Sequence, residues 1–311
     1  MPPLNRNGPT SSRKGKKVGA GYNYRPAGGG SWLNPGYLVG GVVLVLLALI
    51  LIKIAVSGSP SPASSTAARP APAALVRSVT TIPPATLDAA GVPSNITLPV
   101  ATPAKTPLLK AGGKPEVLYV GAEYCPYCAS ERWAMVVALS RFGTFSNLGI
   151  VTSSATDVYP NTHTFTFYGS TYTSKYLTFV PVETYTNQPV PGGGYTTLQT
   201  PTAQQDSIVS QYDTSNYIPY LSSSSNGSIP FIDIAGRYLV AGASAANLPP
   251  ALAGLDWTQI ASQVRQPSTT IGSDVLGIAN ALTASICNST GQQPASVCSA
   301  PVIVKAEQSL K

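Results

Sequence analysis

Four cysteines have the clearest capacity for chemistry in this chain of 311 residues, and they form two pairs. Cys125 and Cys128 stand two residues apart in the string YCPYC, whereas Cys287 and Cys298 are separated by ten residues near the end of the chain. The close spacing of the first pair is compatible with a metal knuckle, a structural disulfide or a reactive thiol pair.

A structural zinc site would need more ligands than this pattern offers. Such sites usually take four ligands, from two close pairs of Cys or His. The second cysteine pair is too widely spaced for a knuckle. The one histidine, His163, lies in a β-rich segment, where a surface or cross-strand position is the more common role. We therefore expect neither a metal ion nor another cofactor.

A structural disulfide suits the second pair better than the first. A bridge within one helical turn closes a very short loop and therefore constrains the unfolded chain little. We expect a Cys287–Cys298 disulfide that fixes the C-terminal tail to the last helix. The alternative is a second redox pair, which the position of Cys287 at a helix end disfavours because the helix dipole there opposes a thiolate.

The elements around the first pair favour a reactive thiol. The string GKPEVLYVGA predicts a turn and a buried strand, and the segment from Cys125 to about Phe142 predicts a helix. Unpaired N–H groups and the positive end of the dipole at a helix start favour a thiolate, which is the attacking form of cysteine. Pro126 suits the first turn of that helix. Cys128 returns to the same face and can form a disulfide with Cys125.

The rest of the folded region alternates strands and helices. The string LGIVTS predicts a second short strand, and the Thr/Tyr-rich segment 161–190 predicts extended structure. Residues 202–213 predict a helix capped by Thr202 with Gln205. A hairpin in NGSIPFIDIAGRYLVAGA and two further helices follow. This order favours a mixed-sheet α/β fold.

Pro230 stands where the first strand of that hairpin begins. A proline there removes a donor from the hydrogen-bond ladder, so its presence requires an explanation. A cis Ile229–Pro230 bond beside the reactive cysteines would provide one. An ordinary trans proline at the start of a strand is the alternative.

The N-terminal region differs from the rest in charge. Residues 1–114 hold 12 of the 19 Lys and Arg residues but one of the 12 acidic residues, so the net charge of +7 does not indicate nucleic-acid binding by the folded region. The apolar string of residues 37–56 reaches ~30 Å at ~1.5 Å per residue, enough to span a bilayer. Basic residues before it predict a cytoplasmic N-terminus and an extracytoplasmic C-terminal domain. A cleaved signal peptide is the alternative.

Two strings carry a resemblance to known families. VLYVGAEYCPYC before a helix, with SIPFIDIAGRYLVAG downstream, resembles the thioredoxin-like superfamily. The longer string GKPEVLYVGAEYCPYCASERWAMVVALSRFG is similar to a membrane-anchored prokaryotic family known as domain of unknown function 929. The resemblance covers roughly residues 75–300. It implies a thioredoxin-like mixed sheet with a β-rich insertion, Cys125 as nucleophile and Cys128 as resolving thiol. It also implies that Ile229 and Pro230 shape the substrate groove.

Two features depart from the thioredoxin pattern. Tyr119 stands where thioredoxins carry a buried Asp, so the usual proton acceptor for Cys128 is missing. Glu123 is a nearby candidate for that role, and an exposed carboxylate is the alternative. The Thr/Tyr-rich segment between the motif and the proline loop also resembles neither the compact thioredoxin connection nor the helical insertion of periplasmic disulfide oxidoreductases.

The predicted organisation has five parts. They are a basic disordered cytoplasmic tail (1–36), one transmembrane helix (37–56), a Pro/Ala/Ser linker (57–74), a partly ordered arm (75–112) and a thioredoxin-like domain (113–311).

The expected function is that of a membrane-anchored, extracytoplasmic thiol–disulfide oxidoreductase that forms, reduces or isomerises disulfides in exported proteins. Its expected partners are the thiols and disulfides of those proteins, a membrane or extracytoplasmic redox partner, and the lipid bilayer through residues 37–56, with no nucleic acid. The alternatives are a non-enzymatic, disulfide-stapled surface or interaction module on the same fold, and a peroxidase.

Overall fold

The computed structural model describes residues 67–310, and the centre of this region is a six-stranded mixed sheet. The predicted tail, the predicted transmembrane helix and most of the predicted linker lie outside the described residues.

The strands within residues 67–310 are β1 (Arg69–Pro70), β2 (Val100–Ala101), β3 (Lys110–Ala111), β4 (Lys114–Gly121), β5 (Gly143–Ser146), β6 (Gly149–Thr152), β7 (His163–Thr166), β8 (Thr171–Ser174), β9 (Thr178–Glu183), β10 (Tyr185–Pro189), β11 (Tyr195–Thr197), β12 (Phe231–Ile234) and β13 (Tyr238–Ala241). The α-helices of the same region are α1 (Ala73–Thr80), α2 (Pro84–Ala90), α3 (Pro126–Leu139), α4 (Ala203–Tyr212), α5 (Leu248–Leu252), α6 (Trp257–Val264), α7 (Thr270–Ser289), α8 (Ala295–Cys298) and α9 (Pro301–Glu307).

Strand β4 lies in the middle of the central sheet, which has the order β2-β13-β12-β4-β3, with β9 also paired to β4. The β4–β9 pair is parallel, with Glu116 opposite Thr178 and Gly121 opposite Glu183. Strand β12 is antiparallel to both β4 and β13. A parallel pair requires a long crossover connection, which here contains α3 and strands β5 to β8. The mixed α/β class predicted from the sequence is therefore confirmed.

Both faces of the sheet are covered. Along β4, Val117 and Tyr119 belong to the larger apolar core, which also contains residues of α3 and α7. The alternate residues Leu118 and Val120 belong to a smaller core that includes Tyr212 of α4. Successive strand residues point to opposite faces, so a strand buried on both sides has a continuous apolar sequence. This burial fixes the position of β4 and therefore of the loop that leads to Cys125.

The β-rich segment 161–190 contains four strands, and they do not all join the same sheet. Strand β9 belongs to the central sheet, whereas β7 pairs with β6 in a separate sheet that also includes β1. Strands β5 and β8 form one antiparallel pair, and β10 and β11 form another. The string LGIVTS forms a strand, β6, as predicted, but this strand lies outside the central sheet.

Local signals in the sequence predicted several elements correctly. Residues 235–237 separate the paired Ile234 and Tyr238 of the β12–β13 hairpin, and the first two of them, Ala235 (φ 59°) and Gly236 (φ 68°), have the left-handed conformation typical of tight hairpin turns. Helix α4 begins with the predicted capping box, in which the side chain of Thr202 accepts from the backbone of Gln205 and the Gln205 side chain bonds back.

Residues 67–112 pack against the rest of the domain. Strand β1 pairs with β6, and α1 begins at Ala73, inside the predicted linker. The side chains of Val79, Leu87 and Ile96 are buried in the larger core. The approach to α7 is close, because a Cβ atom added at Gly277 would lie 2.5 Å from the Cδ atom of Pro93. The predicted arm thus contributes core residues.

Helix α7 has the length and apolar composition of a membrane span, the one such helix in the described part of the chain, and 89% of its apolar window is buried within the domain. Its last turns contain Cys287, which is bonded to Cys298 with a Cα–Cα distance of 5.5 Å. The predicted disulfide is therefore present. It joins α7 to the short helix α8 rather than to an extended tail.

Candidate functional site

The first cysteine pair lies at the junction of β4 and α3. Cys125 is the N-cap of α3, with φ −81° and ψ 122°, and its sulfur accepts a hydrogen bond from the backbone N–H of Cys128 at 3.3 Å. Pro126 occupies the first helical position, where a missing N–H costs nothing. The sulfur of Cys125 thus takes the place of the side-chain oxygen that usually caps a helix.

The two thiols are free and differ in acidity. Cys125 is 4% exposed and Cys128 is fully buried. The hydrogen bond from the Cys128 thiol and backbone hydrogen bonds at the helix start lower the pKa of Cys125, against the opposing effect of burial. Burial raises the pKa of Cys128 well above its ordinary value. A thiolate at this site therefore forms first on Cys125.

The proline loop lies beside Cys125. The Ile229–Pro230 peptide bond is cis, and the Cys125 Sγ atom lies 3.9 Å from the carbonyl oxygen of Ile229. The carbonyl oxygen of Pro230 accepts a hydrogen bond from the N–H of Gly242 at 2.8 Å, which ties the loop to the end of β13. The structure therefore brings together four of the predicted site residues, from two segments far apart in the sequence.

A buried ion pair lies behind the cysteines. Arg132 follows Cys128 by one helical turn, and its Nε and Nη2 atoms donate to the two carboxylate oxygens of Glu183 at 2.8 and 2.6 Å. Both side chains are 0% exposed. Nη2 also donates to the carbonyl oxygen of Ala122 at 2.6 Å. This two-bond geometry fixes the guanidinium plane relative to the motif.

Glu123 is buried, so the exposed alternative for this residue is wrong. Its side chain is 2% exposed and its Oε1 atom accepts a hydrogen bond from the Thr166 hydroxyl at 2.8 Å. Burial raises the pKa of this carboxyl group, and the Thr166 hydrogen bond partly opposes that effect. Glu123 is therefore held by β7 close to the motif.

Tyr119 lies on β4 before the motif, at the position where the resemblance to thioredoxins would place a buried Asp. Its side chain is 0% exposed, and burial raises the pKa of its hydroxyl well above the ordinary value. The ring lies edge-on to Phe167, with the centroids 5.2 Å apart, and the Arg132 guanidinium lies 5.9 Å from the ring centre. A side chain at Gly121 would collide with the Tyr119 hydroxyl, which accounts for glycine at the end of β4.

A third buried carboxyl group lies one turn beyond Cys128. Glu131 accepts hydrogen bonds from the Ser244 backbone N–H at 3.1 Å and from the Ser244 hydroxyl at 2.9 Å. Burial raises the pKa of Glu131 to about 7. Neither Glu131 nor Arg132 was predicted as a site residue from the sequence. The available signal was the occurrence of two adjacent charged residues in an otherwise apolar helix.

A cleft of about 560 Å³ extends from the proline loop. Residues on its walls include Val120, Tyr124, Tyr185, Asp206, Val209 and Ile229. The ring of Tyr124 stacks on Tyr195 of β11 with the centroids 4.1 Å apart, so the β10–β11 hairpin is fixed beside the motif. A cleft of about 550 Å³ elsewhere, lined in part by Lys110 and Arg237, includes no residue of the proline loop, whereas the carbonyl oxygen of Ile229 lies 3.9 Å from the Cys125 sulfur. We therefore regard the cleft beside Ile229 as the candidate substrate groove.

Within 67–310, no three His, Cys, Asp or Glu side chains lie close enough together to hold a metal ion. His163 lies on β7, its ring edge-on to Trp257 with the centroids 4.1 Å apart, and burial lowers its pKa.

Comparison with known proteins assigns the chain to a family. No curated protein and no solved structure matches it. The family described as Domain of unknown function (DUF929) matches residues 105–288, which is more than half of the chain and includes both motif cysteines and Pro230. The chain therefore belongs to the DUF929 family.

Proposed function

We propose that this protein is a thioredoxin-like thiol–disulfide oxidoreductase that acts on exported proteins. The single observation that carries the proposal is the position of the Cys125 sulfur. It lies between the N–H of Cys128 at the start of α3 and the carbonyl oxygen of Ile229 in the cis-proline loop. A sulfur held in this way, with a second thiol beside it, has the parts that two-step disulfide exchange requires.

The order of the central elements supports the thioredoxin-like part of the proposal. Strand β4 and helix α3 are followed by β9, which is parallel to β4, and by α4. The antiparallel strands β12 and β13 and the long helix α7 complete the unit. The strand pairs β5–β8 and β10–β11 are then additions to this core, in agreement with the β-rich insertion expected from the sequence.

The proposed reaction proceeds in two steps. The thiolate of Cys125 attacks one sulfur of a substrate disulfide, the substrate S–S bond breaks, and the second substrate sulfur leaves as a thiolate. Cys128 then loses its proton and attacks the Cys125 sulfur of the mixed disulfide. The first substrate sulfur leaves with the electron pair, and Cys125 and Cys128 become a disulfide. The same steps in reverse oxidise two substrate thiols, so the reduction potential of the couple sets the direction of net electron flow.

We also propose that residues 37–56 anchor the protein in the membrane, with the domain outside the cytoplasm. The support is the uninterrupted apolar run preceded by basic residues. All four cysteines follow this run, which agrees with a compartment where disulfides persist. Protease added to intact cells should remove the domain and leave the basic N-terminal tail. Protection of the domain from the protease would contradict the proposed orientation.

Trapping of the mixed disulfide tests the enzymatic proposal in the full chain. Cys128→Ala should accumulate covalent adducts with exported proteins, seen on non-reducing gels and lost with reductant, because the second step is blocked. Cys125→Ala should accumulate none, and the Cys287→Ala/Cys298→Ala double variant serves as the control for loss of an unrelated cysteine pair.

The competing proposal is a non-enzymatic interaction module, and the low exposure of Cys125 and Cys128 is the observation that favours it. The enzyme proposal is wrong, and the interaction module is the better proposal, if two results are found together. Neither motif variant traps a partner, and the pKa of the Cys125 thiol is near the ordinary value of ~8.5.

A further inference from the structure

Behind Cys128 lies a polar layer that consists of Arg132, Glu183 and Tyr119. None of these side chains takes part in the two exchange steps proposed for the cysteines. Arg132 and Glu183 form an ion pair in which both side chains are 0% exposed. Removal of two charges from water is costly, and apolar residues of similar size often serve stability as well or better. Stability alone therefore does not explain why this position is charged.

Arg132 has more hydrogen-bond donors than partners. Its Nε and Nη2 atoms are occupied by Glu183 and by the carbonyl oxygen of Ala122. Its Nη1 atom is buried and has no partner among the described residues, and the same holds for the hydroxyl of Tyr119. The guanidinium lies 5.9 Å from the centre of the Tyr119 ring. Two neighbouring buried donors are thus available to a negative charge that forms beside them.

This layer acts on Cys128. Arg132 lies four residues after Cys128 on the same face of α3. Burial and the neighbouring Cys125 raise the pKa of Cys128, whereas the positive charge of Arg132 and a hydrogen bond with the backbone of Ala122 lower it. The Nη2 hydrogen bond of Arg132 fixes that same residue, Ala122. Arg132 therefore affects Cys128 in two ways, directly through its positive charge and indirectly by holding Ala122 in place.

Few charged or titratable groups, the ion pair included, surround Cys128 and this layer. Tyr119 faces it from β4, Glu183 from β9 and Glu123 from the loop before α3, while Cys125 and Arg132 itself come from the motif helix. Glu183 is paired with Arg132, so the guanidinium is the one cation that this set contains.

We propose that Arg132, positioned by Glu183, stabilises the Cys128 thiolate during the second exchange step and thereby sets the rate at which the mixed disulfide is resolved. This inference rests on the proposed function. In that step the Cys128 thiol gives its proton to water and its sulfur attacks the Cys125 sulfur, while the bond between Cys125 and the substrate sulfur breaks and the substrate sulfur leaves with the electron pair. The positive charge of Arg132 offsets the negative charge on Cys128 until the new S–S bond forms.

The reaction with 5,5′-dithiobis(2-nitrobenzoate) separates the two steps. Attack by Cys125 releases one coloured thiolate, and attack by Cys128 on the resulting mixed disulfide releases a second. The double variant Arg132→Met/Glu183→Gln removes both charges and leaves neither one buried alone. In the full chain its second phase should be about 10-fold slower at neutral pH, with the pH midpoint of that phase about one unit higher. The first phase should change less.

Three further variants make the result specific. Arg132→Lys keeps the charge and should retain most of the second-phase rate, whereas Tyr119→Phe removes a hydroxyl without a change of charge and should have a smaller effect than the double variant. Glu183→Gln leaves the positive charge without its counter-charge and should lower the pH midpoint of the second phase. This variant keeps the test decisive where the double variant does not fold.

An unchanged second-phase rate and midpoint in a folded double variant would overturn the inference, as would a raised midpoint in Glu183→Gln. Either outcome leaves the proposed function intact, because the first phase is still present. Absence of a fast first phase in the wild-type chain would instead contradict the proposed function.

Discussion

Helices α3 and α7 are both buried, and a cysteine pair lies at one end of each, with the second cysteine of the α7 pair supplied by α8, yet the two pairs differ in chemistry. Cys125 is the N-cap of α3 and its thiol is free. Cys287 lies near the C-terminal end of α7 and is bonded to Cys298. A helix start offers unpaired N–H groups to a thiolate, whereas a helix end presents carbonyl oxygens that disfavour it. Whether a cysteine lies at the N-terminal or the C-terminal end of its helix therefore predicts which pair can be reactive.

The surroundings of the two pairs strengthen this contrast. Arg132 and Glu183 form a buried ion pair behind the thiols of α3. Cys287 and Cys298 belong to the larger apolar core together with residues such as Ile303. Charged side chains therefore lie close to Cys125 and Cys128, where they can stabilise a thiolate. The side chains around Cys287 and Cys298 are apolar and contribute packing alone.

The largest expected effect concerns activity. Cys125→Ala should abolish the reduction of insulin disulfides, because the attacking thiolate is gone, whereas Cys287→Ala/Cys298→Ala should leave turnover largely intact. Turnover is measured with the detergent-solubilised full chain. Loss of activity in the second variant without loss of stability would show that both pairs are redox-active and would remove the contrast between the two helices.

The buried ion pair should give the largest effect on stability. Arg132→Ala leaves the Glu183 carboxylate buried and unpaired, so the free energy of unfolding should fall by about 3–5 kcal/mol. Urea denaturation measures this change. Arg77→Ala, at an exposed arginine of α1, is the matched control and should stay within about 0.5 kcal/mol of the wild type. An equally small effect for Arg132→Ala would mean that water reaches the Glu183 carboxylate.

The second cysteine pair should contribute to stability through the unfolded chain. Its two cysteines are separated by 11 positions, and a loop of this length corresponds to about 3 kcal/mol in the chain-entropy model. Cys287→Ala/Cys298→Ala should therefore lower the urea midpoint, and reductant should have the same effect on the wild type. No change in the midpoint under either condition would contradict a structural role for this disulfide.

The smallest expected effect is a pH dependence specific to Cys125. Its pKa is lowered in the folded protein, so its contribution to stability is fully present above the unfolded pKa and is lost as the pH falls through the lowered folded pKa. Reduced wild type should gain stability relative to Cys125→Ser as the pH rises through that range, by about 1.4 kcal/mol for each unit of lowering.

Alkylation by iodoacetamide measures the difference in acidity between Cys125 and Cys128 directly. It should label Cys125 before Cys128 in the reduced protein at mildly acidic pH. Equal labelling of the two thiols would remove the proposed difference between them.

Signals that lie close together in the sequence predicted much of this structure. The strand–CPYC–helix junction and the capping box at Thr202 each depend on a few adjacent residues. A charged residue in an apolar helix is a local signal for Arg132, but the pairing of Arg132 with Glu183 was not predictable in this way. Charged residues are normally exposed, and these two are 51 positions apart, on a helix and a strand whose pairing no local signal specifies. The parallel position of β9 was missed for the same reason, because Thr- and Tyr-rich composition indicates a strand but not its neighbour.

The packing of residues 67–112 against α7 determines where a soluble fragment of this protein can be cut. Asn280 of α7 donates hydrogen bonds to the carbonyl oxygens of Leu87 and Gly91 at 2.9 and 2.8 Å. A fragment limited to the family-matched residues 105–288 would leave that side chain without these acceptors, uncover the apolar face of α7 and lose Cys298. A fragment that keeps these contacts begins before β1, which pairs with β6, and continues through α9, whose Val302 and Ile303 lie in the larger core.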